Sequence, residues 1–327
     1  MTTYKGINGF AVQSVASDPS PLDEGQVWYN NATYAFKLAS VTTSGTWASG
    51  GNLGTSRGYS AGAGTQTAAL VFGGFPSTGA TEEYDGSAWT AGGSLATARR
   101  NLGGAGTQTA GLGFGGYISS PTPQTNATEE YNGTSWAGGG NLNTSRYIIA
   151  GTGTQTAALG FGGYIYPSPG NQSATESYNG TSWTSVASMN TARRGSQVGS
   201  SGTQTAALNI GGIITAVSAA TESWNGSSWT TVNSLNTARQ QTGSGGSQTA
   251  AVIFGGASPP TVGATETWNG TSWTTNPNSM GTARKSLAGA GTLTASLAIG
   301  GEITAPTAAT EEWTGAGAPV TQTIKTS

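Results

Sequence analysis

Short apolar runs, each closed by a Gly-Gly pair, recur along the chain between polar stretches rich in Gly and Thr. Each run lies in an eleven-residue segment such as "GTQTAALVFGG". The six copies of this segment begin at Gly64, Gly106, Gly153, Gly202, Gly246 and Gly291. An unbroken apolar run of this length predicts a strand covered on both faces, and no segment shows the 3.6-residue period of a helix. We therefore predict an all-β repeat protein.

Each repeat contains three further strand signals around the apolar run. One strand follows an Arg, another is "ATEEY", and a fourth begins at "SW". Between the last two, "YNGTSW" predicts a type I′ hairpin turn, in which both central residues have positive φ. The turn recurs at Asp85-Gly86, Asn132-Gly133, Asn179-Gly180, Asn225-Gly226 and Asn269-Gly270. A period in the forties with four short strands is typical of propeller blades.

The aromatic residues indicate how the repeats close. The third-strand aromatics are Tyr84, Tyr131, Tyr178, Trp224, Trp268 and Trp313. The fourth-strand tryptophans are Trp47, Trp89, Trp136, Trp183, Trp229 and Trp273. Because Trp47 precedes the first complete repeat and the last repeat lacks its own Trp, we expect the strand around Trp47 to complete the sixth sheet. The predicted domains are an extension with a β-hairpin (1–40), a six-bladed β-propeller closed by an N-terminal strand (41–315) and a tail (316–327).

This order of residues resembles a known repeat. Arg99, Gly115-Gly116 after an apolar strand, Tyr131 and Trp136 follow the pattern of Kelch-type β-propellers, and the resemblance covers about residues 42–315. The WD-repeat alternative lacks support, since the chain has no His and no Trp-Asp dipeptide. The repeats are more alike and richer in Gly and Thr than those of cellular Kelch proteins, so a cellular role does not follow.

A second resemblance lies before the repeats. "PLDEGQVWYNNATYAFKLA" (Pro21–Ala39) is similar to the short β-hairpin modules of phage tail-fibre and other virion proteins. The near-identical "NGTSW" repeats also resemble open reading frames of marine phages. The resemblance implies a phage virion protein, assembled in the host cytoplasm and carried on the extracellular particle, with other virion proteins or its own copies as partners. A tail fibre or appendage recognising a host glycan or protein competes with a purely structural decoration or filament subunit.

Composition and charge argue against several other classes of protein. Gly contributes 54 of 327 residues, only 8% are charged, and 12 Lys and Arg against 14 Asp and Glu give a net charge of −2. So few cations argue against nucleic acid, and no segment has the length and hydropathy of a membrane span or a signal peptide. The regularly spaced Trp and Tyr argue against disorder.

One Arg and one Glu recur in fixed register in every repeat. The arginines are Arg57, Arg99, Arg146, Arg193, Arg239 and Arg284, and the glutamates are Glu82, Glu129, Glu176, Glu222, Glu266 and Glu311. The arginines could form a cationic ring that grips an anionic glycan or phosphate. Pairing of each Arg with a Glu or with carbonyls is the favoured interpretation, because buried charges are usually paired. A recurring Gln, replaced by Leu293 in the last repeat, is likewise expected in a turn or inter-blade hydrogen bond.

Catalytic chemistry has little support in this sequence. The chain has no His and no Cys, so the usual general base, soft metal ligands and thiol nucleophile are missing. A two-carboxylate hydrolase would depend on the acids outside the repeat pattern, which are Asp18, Asp23, Glu24 and Glu302. We therefore expect a protein that is not an enzyme and that uses no metal and no cofactor.

The loops after the second strand are the variable part of the repeat. They occupy residues 75–79, 117–126, 164–173, 213–219, 257–263 and 302–308, whereas the "GTQT" and "NGTS" turns are almost constant. Recognition commonly lies in loops on a rigid scaffold. We predict a binding surface formed by Tyr117, Tyr164, Tyr166 and Asn171. The alternative is that these loops are unconstrained surface.

Overall fold

The structure is a computed structural model that describes residues 12–20, 26–41, 44–119, 123–195, 200–316 and 319–324. The described residues form strands, bridges and turns, and no helix. Two compact units are present, one containing Thr46–Trp313 and the other Met1–Gly45 with Thr314–Ser327. We call the first the ring unit and the second the terminal unit.

Within its described residues, the ring unit contains six four-stranded antiparallel sheets. Their first strands are β5 (Ala61–Gly64), β9 (Gly103–Gly106), β13 (Ala150–Thr154), β19 (Ser200–Gly202), β23 (Gly243–Gly246) and β27 (Ala288–Gly291). Their second strands are β6 (Ala69–Phe72), β10 (Gly111–Phe114), β14 (Ala157–Phe161), β20 (Ala207–Ile210), β24 (Ala251–Phe254) and β28 (Ala295–Ile299).

The outer strands follow in the same order. The third strands are β7 (Thr81–Tyr84), β11 (Thr128–Tyr131), β17 (Thr175–Tyr178), β21 (Thr221–Trp224), β25 (Thr265–Trp268) and β29 (Thr310–Thr314). The fourth strands are β8 (Trp89–Gly92), β12 (Trp136–Gly138), β18 (Trp183–Val186), β22 (Trp229–Val232), β26 (Trp273–Thr275) and β4 (Thr46–Ser49). The β4 strand precedes all the others in the chain but lies beside β29. The sheet that begins with β27 is thus completed from the start of the ring unit.

The first strands hold the sheets together at the centre of the ring unit. Each contacts the first strand of the next sheet, and β27 contacts β5, so the series closes on itself. This arrangement is a β-propeller, and closing the series leaves no free first strand.

Side chains from adjacent sheets form the core. One of its clusters joins Leu112 and Phe114 of β10 to Ala158, Tyr178 and Trp183 of the following sheet. All four residues of β6, β10, β20 and β24 are buried, as expected for apolar strands covered on both faces. The hydrophobic effect therefore stabilises the seams between sheets rather than one central core.

Glycine permits the close approach of the first strands. A Cβ placed on Gly151 would lie 2.6 Å from the carbonyl oxygen of Gly104 in the neighbouring sheet. The Gly-Gly pairs have a different role, because both members adopt positive φ, as at Gly73 (65°) and Gly74 (120°). The amide of Gly74 then donates to the carbonyl of Arg99 in the next sheet, at 2.9 Å.

The hairpin between the third and fourth strands differs from the sequence prediction. In the fourth-strand hairpin of the third sheet, Tyr178 pairs with Trp183, so the loop contains four residues. Gly180 has φ 89°, but Asn179 is not among the residues with positive φ. The predicted type I′ turn is therefore wrong. The side chain of Asn179 instead accepts hydrogen bonds from the amides of Thr181 (2.9 Å) and Ser182 (2.8 Å), which closes the loop without a second left-handed residue.

The terminal unit contains one four-stranded sheet in the order β1–β2–β3–β30. Its strands are β1 (Gln13–Val15), β2 (Val27–Asn30), β3 (Ala35–Val41) and β30 (Pro319–Thr323). The antiparallel β2–β3 pair lies in the segment predicted as a hairpin, whereas β1 and β30 were not anticipated. Trp28 is fully buried, and its indole N–H donates to Asp18 at 2.9 Å. The segment predicted as a tail thus contributes a strand.

Candidate binding surface on the loop face

The sheets of the ring unit present two different edges. At one edge the second strand ends and the third begins; we call this edge the loop face, because it carries the variable loops. The opposite edge, the turn face, carries the "GTQT" and "NGTS" turns. Residues 120–122 of the loop at 117–126 lie outside the described part of the chain.

The recurring arginines are fully enclosed and paired. Arg146 donates to Oε1 of Glu176 at 2.9 Å and to the carbonyls of Gly162 and Ala174 at 3.0 and 2.7 Å. The other pairs are Arg57–Glu82, Arg99–Glu129, Arg193–Glu222, Arg239–Glu266 and Arg284–Glu311. Oε2 of Glu176 accepts the amide of Asn143 at 2.7 Å, so each carboxylate also holds the segment that enters its sheet.

The surroundings of this arginine row keep it away from solvent. Burial lowers the pKa of Arg146, and the charge of Glu176 acts in the opposite direction. The arginines are at most 1% exposed. An anion on the loop face could not reach these guanidinium groups without breaking the ion pairs.

The recurring glutamines join neighbouring sheets. Gln155 donates to the carbonyls of Gly111 (3.0 Å) and Tyr131 (2.7 Å) in the preceding sheet. The corresponding donors are Gln66, Gln108, Gln204 and Gln248. Leu293 occupies the sixth position and packs against the apolar cluster there instead.

The residue after each recurring Arg is held on the loop face by a small backbone bridge. It pairs with the first residue after the Gly-Gly pair, as Tyr147 does with Tyr164 (2.8 and 3.1 Å) and Arg100 with Tyr117 (2.7 and 3.1 Å). Arg194 pairs in the same way with Ile213. The bridge is constant while its two residues vary, so it can present different side chains on the same backbone.

Six of these side chains form a continuous series across four sheets. Cζ of Arg100 lies 5.0 Å from the ring centre of Phe75 and 4.6 Å from that of Tyr117. The Tyr117 and Tyr147 ring centres are 5.5 Å apart and those of Tyr147 and Tyr164 5.6 Å, in edge contacts. Cζ of Arg194 lies 4.5 Å from the Tyr164 ring. We call Phe75, Arg100, Tyr117, Tyr147, Tyr164 and Arg194 the aromatic–arginine arc.

The four residues predicted to bind a ligand do not all lie in the arc. Tyr117 and Tyr164 belong to the arc, and Tyr166 is 57% exposed nearby in the chain. The Asn171 amide donates to the carbonyl of Ile214 at 2.6 Å and accepts from Arg194 at 2.7 Å, so Asn171 anchors its loop to the next sheet.

Arg100, Tyr147 and Arg194 of the arc were not among the binding residues predicted from the sequence. The available signal was variation at the residue following the constant Arg, which is Gly58, Arg100, Tyr147, Arg194, Gln240 or Lys285.

The next residue in each repeat surrounds the axis of the ring unit. Tyr59, Asn101, Ile148, Gln241 and Ser286 have φ between 55° and 57°, the left-handed region that costs non-glycine residues about 1 kcal/mol or more. Their amides donate to the equivalent carbonyl of the preceding sheet, as from Ile148 to Asn101 at 2.8 Å. This belt of hydrogen bonds explains the strained backbone. Tyr59, Asn101, Ile148 and Gln241 of this belt line a cavity together with Phe75, Arg100 and Glu302.

The acidic groups of the ring unit are mostly engaged. Three glutamates accept from tyrosine hydroxyls, and Asp85 accepts the amides of Ser87 and Ala88 at 2.8 Å, which lowers its pKa. Among the described residues, no cluster of His, Cys, Asp or Glu could hold a metal ion.

Within the same part of the chain, no helix is long and apolar enough to cross a membrane.

Among solved structures, this chain is similar to that of YjhT. The two share 13% sequence identity with a TM-score of 0.66, over 80% of this chain and 95% of that chain. No protein-family model and no curated protein matches the sequence. At 13% identity the similarity shows the fold alone.

Proposed function

We propose that the ring unit is a six-bladed Kelch-type β-propeller whose loop face binds a ligand on a host cell. The protein is then a non-enzymatic structural component of a phage virion, a tail fibre or surface appendage. One observation carries the binding function: the aromatic–arginine arc occupies only consecutive sheets of a sixfold repeated scaffold.

The repeats supply an internal comparison for this observation. At the positions where the arc has Tyr117 and Tyr164, the later sheets have Ile213, Ala257 and Glu302, with the same backbone bridge. The fold therefore does not require aromatic residues there. Half-buried tyrosines concentrated on one side of a ring are typical of recognition surfaces.

Charge placement supports a role without catalysis. Of the eleven acidic residues in the ring unit, six pair with arginines, three accept from tyrosines and Asp85 closes a turn. Glu302 is the remaining one, so a pair of acidic groups for hydrolysis is not provided in the ring unit.

The terminal unit supports the assignment to a particle, together with the sequence resemblance of Pro21–Ala39. Val27 and Phe36 are 38% and 46% exposed on this sheet, and Ile324, the residue after β30, is 43% exposed. Exposed apolar side chains on a small sheet suit attachment to other proteins. The same observation favours the second candidate function, a decoration or filament subunit that binds no receptor.

Two experiments test the proposal. Mass spectrometry of purified particles should find the protein among virion components. Cell binding by purified protein should be lost when loops 117–126 and 164–173 are replaced by Gly-Ser, and weakened by Tyr164→Ala with Tyr166→Ala. Asn179→Ala on the turn face is the matched control and should leave binding unchanged. Unaltered cell binding by both loop variants, with the fold intact, would leave only the assembly function.

A further inference from the structure

The cationic side chains of the ring unit fall into two groups. The unit has nine Lys and Arg residues, and six of them are the arginines of the buried ion pairs. The three others are Arg100, Arg194 and Lys285, and all three directly follow a paired arginine. In the described part of the unit, every cation outside the ion pairs therefore lies at one equivalent position on the loop face.

Arg100 has the geometry of an anion-binding group. Its Cζ lies over the rings of Phe75 and Tyr117, and among the described residues its guanidinium makes no hydrogen bond and no ion pair. A guanidinium whose N–H groups have no partner in the protein can donate two hydrogen bonds to one carboxylate or sulfate. Arg194 is similar, since its Cζ lies over the Tyr164 ring and one of its N–H groups donates to Asn171.

The three tyrosines between the two arginines form an apolar surface with polar edges. Tyr117, Tyr147 and Tyr164 are half-buried, and the successive edge contacts fix their orientation. Aromatic rings pack against the C–H face of a sugar, while their hydroxyls hydrogen-bond. The arc thus has an arginine on either side of a tyrosine cluster.

Lys285 provides a contrast within the same ring. Its backbone pairs with that of Glu302, an acid, and the equivalent position in the preceding sheet is Ala257 instead of an aromatic residue. Nucleic acid would need a basic groove that follows its backbone, which two arginines in a chain of net charge −2 do not supply.

We infer that the aromatic–arginine arc binds an acidic saccharide, with the tyrosines against the sugar rings and Arg100 and Arg194 on its carboxylate or sulfate groups. This inference rests on the proposed recognition function of the loop face and gives the chemical class of the ligand.

Calorimetric titration of the full chain tests it with three probes of matched length: a uronic-acid oligosaccharide, a sulfated oligosaccharide and neutral maltohexaose. We expect binding of an acidic probe that weakens at high salt, and none of maltohexaose. Arg100→Gln and Arg194→Gln should each raise Kd about tenfold or more, the loss of a charge-assisted hydrogen bond. Lys285→Gln, which removes the same charge elsewhere on this face, should leave Kd unchanged.

Equal binding of acidic and neutral probes, or an equal loss in Lys285→Gln, would overturn the inference. If no acidic probe binds but Tyr164→Ala still abolishes attachment to host cells, the ligand class is wrong and the recognition function stands. If attachment is also unaffected, the proposed function fails as well. Unchanged unfolding temperatures of the variants exclude misfolding as the cause of lost binding.

Discussion

The hydroxyl of Tyr84 donates a 2.6 Å hydrogen bond to Oε1 of Glu312, although 228 residues separate them in the chain. The bond joins the sheet of β5–β8 to the sheet that β4 completes. Equivalent bonds of 2.5 Å join Tyr131 to Glu83 and Tyr178 to Glu130.

In the other three repeats, both the tyrosine and its glutamate partner are replaced. Where the third-strand aromatic is Trp224, Trp268 or Trp313, the preceding sheet has Ser177, Ser223 or Thr267 in place of glutamate. A tryptophan has no hydroxyl to donate, and a carboxylate beside it would lose that hydrogen bond. The identity of the third-strand aromatic therefore varies together with the residue at the glutamate position in the preceding sheet.

The Tyr84–Glu312 pair should behave as a unit in stability measurements. We expect Tyr84→Phe to lower the free energy of unfolding by about 1.5–3 kcal/mol, because the acceptor is charged. Tyr84→Trp with Glu312→Ser, which copies Trp224 and Ser177, should be more stable than Tyr84→Trp alone. Urea unfolding of the four proteins of this cycle measures the coupling. Strictly additive effects would show that the pair is not coupled.

The three bonded tyrosines should make stability depend on alkaline pH. Burial, reinforced by the hydrogen bond to glutamate, raises the pKa of Tyr84, Tyr131 and Tyr178 from 10.0 to about 12. Below pH 10 these hydroxyls are protonated in both states, so their contribution is complete. Between pH 10 and 12 the unfolded chain releases its protons first, and stability falls. Urea midpoints over this range should fall less steeply in the triple Tyr→Phe variant; equal slopes would contradict the assignment.

The buried ion pairs should be sensitive to loss of one partner. Arg146→Met leaves Glu176 without its partner and should cost about 3–5 kcal/mol of unfolding free energy. The double variant Arg146→Met with Glu176→Leu should recover part of that loss. Arg100→Met, at a half-buried cation that has no ion pair among the described residues, is the control and should change stability by about 1 kcal/mol or less. The measurement is denaturant unfolding, and equal losses for Arg146→Met and Arg100→Met would show that the buried ion pair does not stabilise the fold.

Two glycines allow a direct test of close strand packing. Gly151→Ala places a methyl group 2.6 Å from the carbonyl oxygen of Gly104. Overpacking of this kind should cost about 1–3 kcal/mol. Gly138→Ala is the control, because nothing lies within 4 Å of a Cβ there. Thermal unfolding should separate the two variants, and a similar Tm for both would mean that the first strands can move apart without cost.

Closure by β4 depends on Trp47. Its indole donates to Thr265 at 2.9 Å, and its ring centre lies 4.9 Å from Phe254 and 5.2 Å from Trp313. Trp47→Ala should cost about 3 kcal/mol, and deletion of residues 1–48 should lower Tm further, because it removes three of the four residues of β4. Tyr34→Ala, at a side chain 80% exposed, is the control for scanning calorimetry. A Tm unaffected by loss of Trp47 would place closure elsewhere.

The sequence by itself determined the features that repeat. The strands and their order within a sheet follow from a pattern that occurs six times, and the same pattern favoured pairing of the Arg and Glu rows. Except for β4, the strands that pair within a sheet are neighbours in the chain, so the repeat period carries the information on their pairing. The closing role of the strand around Trp47 follows from counting tryptophans. The hairpin type did not follow, since Asn-Gly fits both a two-residue turn and the observed four-residue loop.

Only the tertiary structure decided what neighbouring sheets bring together. Arg100, Tyr147 and Arg194 are unremarkable in the sequence, and they form one surface because the ring places equivalent positions of successive sheets side by side. The pairing of β30 with β3 likewise unites the two ends of the chain. Contacts of this kind depend on the twist of each sheet and the curvature of the ring, which no local pattern of residues encodes.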